Sequence, residues 1–540
     1  MKTPHILMVH HGAKFCQAVL CFLLLFSFSS CTKDFEKFNT DNTGFTPDQY
    51  HIGLVYPGIQ SAIFGLEGDY QLTQNLNADC YAGYMMSPNP FRGNINNLNY
   101  DLVDGWNRQS FIVSYTNSLF AINSIAQAGT RTKLPDFWGI ALILKVETFS
   151  RLTDKFGPIA YSKAGSSLIA TPYDSQQELY KQFFLELDTA VTNLNTYVKA
   201  AAQNSSMVKK PFEKFDLVYG GDYEKWIRLA NSLRLRLAMH IVKVDPATAQ
   251  TQGQKALDPT NGGLLATNAD NAGISGGGYH NPLNVIATSW TDISMGASLE
   301  SYMTGYNDPR LPKYVTPATD ALFKGQYKGI RIGSAVTAKP GYNGFSTLNG
   351  ATAFGSASPM WMMTTAEVYF LKAEAALRNW AGAGDVKLNY ETGIQASMDQ
   401  WGVSAGTYKD DATSLPKAYV DPLNAANNSP AVSTVTISWD AAASNERKLE
   451  RIITQKWLAM FPEGQEAWTE FRRTGYPKLF TVVNNNSNGA VDTQIQIRRL
   501  AYPANEYSTN GAEVQKAVQL LGGPDNGGTR LWWDVNKPNF

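Results

Sequence analysis

The sequence predicts a mainly α-helical protein, in which tetratricopeptide-like helix pairs form a scaffold with an irregular, loop-rich lobe. Two observations support this prediction. Apolar residues recur at steps of three and four over long segments, as on one face of a helix. These segments come in pairs of roughly the 34-residue size of a tetratricopeptide hairpin. The 540 residues are 44% hydrophobic and 17% charged, which is typical of a folded chain rather than a disordered one.

The first predicted helix pair covers residues 137–149 and 175–195. One face of its second helix carries Leu179, Phe183, Leu187, Ala190 and Leu194. Asp174 precedes this helix as a candidate N-cap, and Gly157-Pro158 breaks the chain after the first helix.

The second predicted pair covers residues 364–380 and 387–401, separated by a short Gly-rich turn. Such a turn makes two helices antiparallel, and the many Ala residues let them pack closely. Further helices are predicted at 223–242, 446–461 and 465–473. Long irregular stretches lie between the helices, at 261–282, 305–359 and 402–440. Loops of this length are usually functional or disordered. Because they are scattered along the chain, we predict one scaffold rather than several modules.

The N-terminus predicts a lipoprotein signal peptide over residues 1–30. An apolar run at 15–28 follows Lys2 and Lys14, and small residues precede Cys31. Cys31 is therefore the predicted lipidation site, residues 31–45 the anchor and tether, and residues 46–540 the folded domain. The alternative is an ordinary secretory signal that ends beside a chance Cys. Cys80 is then the one cysteine of the mature domain, which predicts no internal disulfide.

Charge and motifs give little indication of nucleic-acid binding, metal binding or catalysis. Lys+Arg and Asp+Glu are both 46, so no basic field exists to hold nucleic acid. Outside the signal, His51, His240 and His280 have no metal-binding spacing, and no HExxH or CxxC occurs. We predict structural histidines and no cofactor. Residues 273–277 match GxSxG, but polar neighbours replace the strand and helix of a hydrolase elbow.

Several segments together carry a family resemblance. They are Asp154-Lys155-Phe156-Gly157-Pro158, Tyr219-Gly220-Gly221-Asp222-Tyr223-Glu224-Lys225-Trp226, Asn231-Ser232-Leu233-Arg234-Leu235-Arg236, Asn307-Asp308-Pro309-Arg310, Ala366-Glu367-Val368-Tyr369, Gln455-Lys456-Trp457, Glu466-Ala467-Trp468 and Phe471-Arg472-Arg473-Thr474-Gly475. With them the chain resembles the SusD/RagB family of Bacteroidetes outer-membrane lipoproteins. Ala160 stands where the family usually has Pro. Most of these motifs have a structural explanation: the aromatic residues belong in the core, and the arginines pair with helix carboxylates or carbonyls.

The resemblance implies a function. Members of this family are surface-exposed lipoproteins of the outer membrane that bind a nutrient, usually an oligosaccharide. They deliver it to a SusC-like TonB-dependent transporter and do not cleave it. In the family the tetratricopeptide-like helices tend to face the transporter, and the irregular lobe tends to hold the ligand. Two alternatives remain open: a surface-anchored hydrolase that acts on glycans, and a binder of a peptide nutrient.

Candidate ligand residues follow from the chemistry of sugars. A pyranose ring has an apolar C–H face, which an exposed aromatic ring complements, and a rim of hydroxyls, which amide or carboxylate groups complement. Aromatic residues in irregular polar stretches are therefore the candidates for stacking. They are Tyr81, Tyr84, Trp106, Trp290 and Trp361, with Asn96 and Asp292 as hydroxyl partners and with Trp106 and Trp290 as the preferred pair.

The anchor leads to a direct prediction. Replacement of Cys31 by alanine (Cys31→Ala) is expected to abolish lipidation and to leave the exported protein soluble, because this thiol carries the lipid. Metabolic labelling with a palmitate analogue and fractionation of cells that lack the transporter measure the two effects. A variant that still fractionated with the outer membrane of such cells would contradict the lipid anchor.

Overall fold

A helical scaffold makes up most of the computed structural model, which describes residues 51–166 and 170–540. The predicted signal peptide, Cys31 and the tether lie outside the described residues. Residues 55–540 pack as one unit. The α-helices of seven or more residues are α1 (Tyr56–Ala62), α2 (Asp104–Ile112), α3 (Phe120–Gln127), α4 (Pro135–Phe156), α5 (Gln176–Gln203), α6 (Tyr223–His240), α7 (Pro246–Leu257), α8 (Ala297–Gly305), α9 (Thr365–Leu377), α10 (Val386–Gln400), α11 (Asn445–Met460), α12 (Gly464–Thr474) and α13 (Ala504–Leu521). The predicted mainly helical class is confirmed.

Shorter elements complete the described chain. Single-turn α-helices lie at Glu67–Tyr70, Thr130–Lys133, Pro282–Asn284 and Leu311–Tyr314. Wider, π-helical turns occur at Gln71–Asp79, Val113–Leu119 and Val285–Ser289. The strands are β1 (Met85–Met86), β2 (Ala272–Ile274), β3 (Ser294–Met295) and β4 (Met360–Met363). They form two antiparallel pairs, β1 with β3 and β2 with β4. Within the described ranges, no helix is long and apolar enough to cross a membrane.

Both predicted helix pairs are present. Helix α4 packs against α5, and α9 packs against α10. The predicted N-cap of α5 was wrong by one residue. Ser175, not Asp174, caps the helix in a reciprocal capping box with Glu178. The Asp174 carboxylate instead accepts hydrogen bonds from the backbone N–H groups of Tyr161 and Ser162, at 3.0 and 2.7 Å. It therefore fixes the loop before the helix.

A third pair, α6 with α7, was only half predicted. Helix α7 has no strong apolar period and contains Gly253, so its sequence does not indicate a helix. The reason for Gly253 is spatial. A Cβ at this position would lie 2.0 Å from the Trp380 ring, so only glycine lets the ring approach the helix. Helices α1, α2, α3, α8 and α13 were also not predicted.

Aromatic side chains from the C-terminal helices fill the core, as predicted. Trp457 of α11 and Trp468 of α12 are fully buried, and Phe471 is 7% exposed. Cys80 is a free, buried thiol that donates to the carbonyl of Asn75, as expected for a domain without a disulfide.

Charged side chains are buried where α4, α6, α9, α11 and α12 meet. Arg236 of α6 donates to both carboxylate oxygens of Glu367 in α9, at 2.8 and 2.6 Å. Arg473 of α12 contacts Glu374 of α9 and Glu470 of its own helix through four hydrogen bonds of 2.6–2.8 Å. A buried ion is tolerated only with such partners. The prediction that these arginines pair with helix carboxylates is confirmed.

Arg234 and Arg472 have different partners. Arg234 pairs with Asp188 of α5 at 2.5 Å. The Arg472 guanidinium lies 3.6 Å from the centre of the Trp468 ring and donates to the backbone carbonyls of Asp154 and Arg498, at 2.7 and 2.8 Å. Arg472 thus has carbonyl partners but forms no ion pair among the described residues.

His240, the last residue of α6, is part of the same buried region. Its Nδ1 lies 2.9 Å from the Tyr180 hydroxyl, and its Nε2 lies 3.1 Å from both carboxylate oxygens of Glu466. Burial alone would lower the pKa of His240, but the Glu466 and Asp154 carboxylates together outweigh burial and raise this pKa to about 9. The ring therefore carries a proton at neutral pH and acts as a structural residue, as predicted.

This raised pKa predicts a pH-dependent contribution to stability. The pKa rises from an ordinary 6.5 to about 9 on folding, and one pKa unit is equivalent to about 1.4 kcal/mol. The stabilisation is fully present below pH 6.5 and is lost as the pH rises through 9. We expect the difference in unfolding free energy between wild type and the variant His240→Gln to fall by about 3 kcal/mol between pH 6.5 and 9.5.

Urea unfolding of both proteins across this range measures the effect. Using the difference between the two proteins cancels the titration of other buried groups, such as Lys155, whose pKa burial lowers to about 7. A difference that stays constant with pH would show that His240 is neutral in the folded protein.

Candidate functional site

A buried carboxylate, Asp292, joins three segments at residues 71, 89 and 339, and we call these segments, with the adjoining chain at 91–106 and 285–292, the lobe. Asp292 accepts hydrogen bonds from Gln71 Nε2 at 3.0 Å, Asn89 Nδ2 at 3.2 Å and Lys339 Nζ at 2.6 Å. We call these four residues the Asp292 clamp. Asp292 is 7% exposed and both of its oxygens are engaged. The structure therefore gives it the role of holding the lobe together, and does not support the prediction that it binds a sugar hydroxyl directly.

The backbone beside the clamp is irregular in ways that are typical of ligand sites. Gln71 begins one π-helical turn, and another, Val285–Ser289, leads directly into Trp290. Such turns occur frequently at functional sites. Thr291 follows with φ +52°, a left-handed conformation that is strained for a β-branched residue. The backbone next to Trp290 is therefore held in a conformation that Thr291 does not adopt readily.

Trp290 remains a candidate stacking residue. Its side chain is partly exposed, and its ring contacts no other aromatic ring among the described residues. Its carbonyl accepts a hydrogen bond from Lys339 Nζ at 2.5 Å. The same ammonium thus binds both Trp290 and Asp292, which fixes the backbone from which the indole projects.

Trp106 also remains a candidate, and it has an aromatic neighbour. The rings of Phe91 and Trp106 meet edge to face, with centroids 5.6 Å apart and planes at 84°, and both side chains are partly exposed. The loop that carries Phe91 is tied to a later segment through Asn94. The Asn94 amide donates to the carbonyl of Val336 at 2.9 Å and accepts from its N–H at 3.2 Å.

Asn96 supports the same loop and is not free for a ligand. Its side chain is buried, donates to the carbonyl of Phe91 at 2.7 Å and accepts from the N–H of Leu98 at 2.8 Å. It is the N-cap of the short turn Asn97–Asn99. The prediction that it binds a hydroxyl is not supported, because its amide is already used within the protein.

Tyr81 and Tyr84 are core residues, which corrects their prediction as stacking residues. Tyr81 is 3% exposed and its ring lies 5.2 Å from that of Trp468. Tyr84 is fully buried and stacks on Trp457 at 5.1 Å. The polar sequence around them suggested a surface loop, but this segment passes beneath α11 and α12. Their rings are therefore not available to a ligand.

Trp361 lies on the second strand pair, away from the clamp contacts. It is partly exposed on β4 and packs over Gly273 of β2, where a Cβ would come within 2.7 Å of its ring. No hydrogen bond or ring contact joins Trp361 to Trp106 or Trp290 within the described ranges. Trp361 is therefore not linked by these contacts to the other two candidate tryptophans.

The sequence did not indicate Gln71, Asn89 or Lys339 as members of a site. Gln71, Asn89 and Lys339 are 221, 203 and 47 residues from Asp292, and none belongs to a recognisable motif. Phe91, by contrast, belongs to the aromatic stretch before the Asn-rich loop, which the sequence does indicate.

The GxSxG match does not form a nucleophile elbow. The three-residue strand β2 precedes Ser275, and a turn rather than a helix follows it. His280 Nε2 lies 2.9 Å from a carboxylate oxygen of Glu67. The Glu67 pKa is lowered by a backbone hydrogen bond and by His280. His280 thus contacts a carboxylate at the start of the single-turn helix Glu67–Tyr70 and, among the described residues, forms no hydrogen bond with Ser275.

Among the residues that the structure describes, one buried cluster has ligand atoms close enough for a metal, namely His240, Glu466 and Glu470. Lys456 Nζ lies 3.4 Å from Glu466 and 3.3 Å from Glu470. The ammonium group already supplies the positive charge that a metal would bring, so we assign the cluster a structural role.

The comparison with known families agrees with this geometry. A family model described as SusD-like, the SusD and RagB outer membrane lipoproteins, matches residues 34–534. The chain belongs to the SusD-like family. No curated protein sequence matches it.

Solved structures of SusD-like proteins share the fold over nearly the whole chain. A chitin-binding SusD homologue from Flavobacterium johnsoniae is 46% identical, with a TM-score of 0.87, covering 91% of this chain and 100% of the other. A SusD homologue from Bacteroides vulgatus is 38% identical, with a TM-score of 0.84 and coverages of 90% and 98%. A further structure, named as a chitin-binding protein, is 27% identical, with a TM-score of 0.72 and coverages of 90% and 100%.

Proposed function

We propose that this SusD-like protein binds a chitin-type oligosaccharide at the cell surface, held there by the lipid on Cys31. It passes the sugar to a SusC-like TonB-dependent transporter without cleaving it. The observation that carries the proposal is the 46% identity, over the full length of the relative, to a chitin-binding SusD homologue. Partly exposed tryptophans in the irregular lobe supply surfaces on which a sugar can stack.

The geometry of the lobe suits a stacking site. Trp106 is positioned by its edge-to-face contact with Phe91, and Trp290 by the bond from its carbonyl to Lys339. Trp106 lies in the first turn of α2, not in an irregular stretch as predicted, so its ring projects from a helix, and the backbone that carries Trp290 is held before any ligand arrives. A ring that is already fixed loses less conformational entropy on binding, which favours affinity. Asn89 and Gln71 of the clamp are partly exposed and place amide groups in the same region.

Replacing either tryptophan tests this site. Trp106→Ala and Trp290→Ala are each expected to weaken binding of chitohexaose roughly tenfold, since ring stacking on a ligand is worth about 1–3 kcal/mol by analogy with base stacking. The melting temperature should stay near that of wild type, because both rings are partly exposed. Isothermal titration calorimetry and thermal unfolding measure the two quantities.

A matched control is Trp138→Ala, since this partly exposed indole lies on α4 beside Arg131, outside the lobe. It should leave chitohexaose binding unchanged. Normal binding by both lobe variants would exclude these rings from the site, and a large fall in melting temperature would show a ring to be part of the core. Sustained formation of shorter products by the wild-type protein would reject the binding-only function in favour of a hydrolase.

The proposed delivery step predicts a stable complex with a transporter. Extraction of the outer membrane in mild detergent, followed by affinity capture of this protein, should recover a TonB-dependent transporter in comparable amount. We expect the interface to exceed the roughly 1,600 Å² of a standard complex. Repeated capture of the lipoprotein without a transporter would contradict the proposed delivery to a transporter. It would not contradict the proposed binding of a sugar.

A further inference from the structure

A large cavity lies on another part of the protein, between the end of α12 and the C-terminal segment 530–539. Its volume is about 980 Å³. Its lining is rich in cationic side chains: Lys243, Arg472, Lys478, Arg498, Arg530 and Lys537. This volume is within the range of small-molecule sites. Neither the clamp nor the candidate tryptophans belong to this lining.

The positive charge of this cavity is only partly neutralised within the protein. Asp534 is shared by two guanidinium groups, Arg498 at 2.5 Å and Arg530 at 2.8 Å. Lys243 donates to the carbonyl of Lys537 at 3.1 Å and forms no ion pair among the described residues. Glu446 is the one acidic side chain in the described lining.

Three further cationic side chains of the lining also lack a carboxylate partner. Neither Lys478 nor Lys537 has an ion-pair partner in the part of the chain that the structure describes, and the buried Arg472 has carbonyl partners instead of a carboxylate. Cations therefore outnumber the carboxylates that face them.

The cations influence one another, which shows that they share one field. Burial lowers the pKa of Lys243 to about 8, and the guanidinium groups of Arg473, Arg530 and Arg498 act in the same direction, whereas Asp534 opposes them. Burial likewise lowers the pKa of Arg472 to about 9, with Arg498 adding to the effect and with Asp154 and Asp534 opposing it. A concave, low-dielectric wall lined by one sign of charge concentrates ions of the opposite sign.

We propose that this cavity is a binding site for a compact oxyanion, such as a phosphate, sulfate or carboxylate group. Guanidinium groups present planar forks of donors that match the oxygen atoms of these groups, and lysine adds a mobile point charge. An anion between Lys243 and Arg530 would relieve the repulsion among the cations. The site does not depend on the proposed sugar binding.

Phosphate chemistry has two sources near an outer membrane, namely free phosphates and the headgroups of anionic lipids. Two soluble probes distinguish them. Inorganic pyrophosphate represents the free anion, and glycerol 3-phosphate represents the headgroup. Titration of each into the full-length lipoprotein in a non-ionic detergent, at low ionic strength, gives the two affinities.

We expect saturable, one-to-one binding of at least one probe, weakened by added salt because the attraction is electrostatic. The variants Lys243→Gln and Arg530→Gln should each reduce the affinity roughly tenfold, since each removes one charge-assisted contact. Both side chains are partly exposed, so the variants should fold. The tighter-binding probe identifies the source of the phosphate.

The matched control is Lys387→Gln, which changes the net charge equally at an exposed position of α10 outside the cavity. It should bind the probes like wild type. The proposal is overturned if neither probe binds saturably, if the two cavity variants bind like wild type, or if the control weakens binding as much as they do. Chitohexaose binding by the cavity variants should be normal, which keeps this test separate from that of the sugar site.

Discussion

Buried charge at the junction of five helices is the constraint on which the scaffold depends. Arg236, Lys456 and Arg473 contribute cations from α6, α11 and α12, and Glu367 and Glu374 contribute carboxylates from α9. Removing each ion from water costs several kcal/mol, and the cost is offset only when every partner is in place. A small displacement of one helix would leave an unpaired charge in the core. The ion pairs therefore select one arrangement of the helix pairs, whereas apolar packing alone would tolerate several.

The scaffold was largely predictable from the sequence because its signals are local. A repeat of three and four residues defines α5, and Gly157 ends α4 with φ +91° where the helix could not continue. The site was less predictable because its contacts are long-range. Asp292 meets donors from three remote segments, and Tyr84 is buried by Trp457, a residue 373 positions away. Neither contact produces a pattern in the neighbouring sequence from which it could be predicted.

The scaffold and the lobe use their polar side chains in different ways. In the scaffold, Arg236 and Arg473 are enclosed and bind carboxylates of another helix. The lobe instead uses its polar side chains to hold loops in shape: Asn94 and Asn96 bind backbone groups, and Asp292 binds side chains. Several groups that appeared suited to a ligand are thus occupied in supporting the aromatic rings. Polar loop residues in such a lobe are better read first as structural ties.

The Asp292 clamp has a consequence for the rate of ligand capture. Because a single carboxylate restrains three segments at once, movement of one segment must break a charge-assisted hydrogen bond or draw the others with it. Opening and closing of the lobe is then disfavoured, and the surface presented to a passing molecule is the same before and after contact. Capture would proceed as rigid docking, at a speed set by diffusion and orientation rather than by a loop that has to rearrange first.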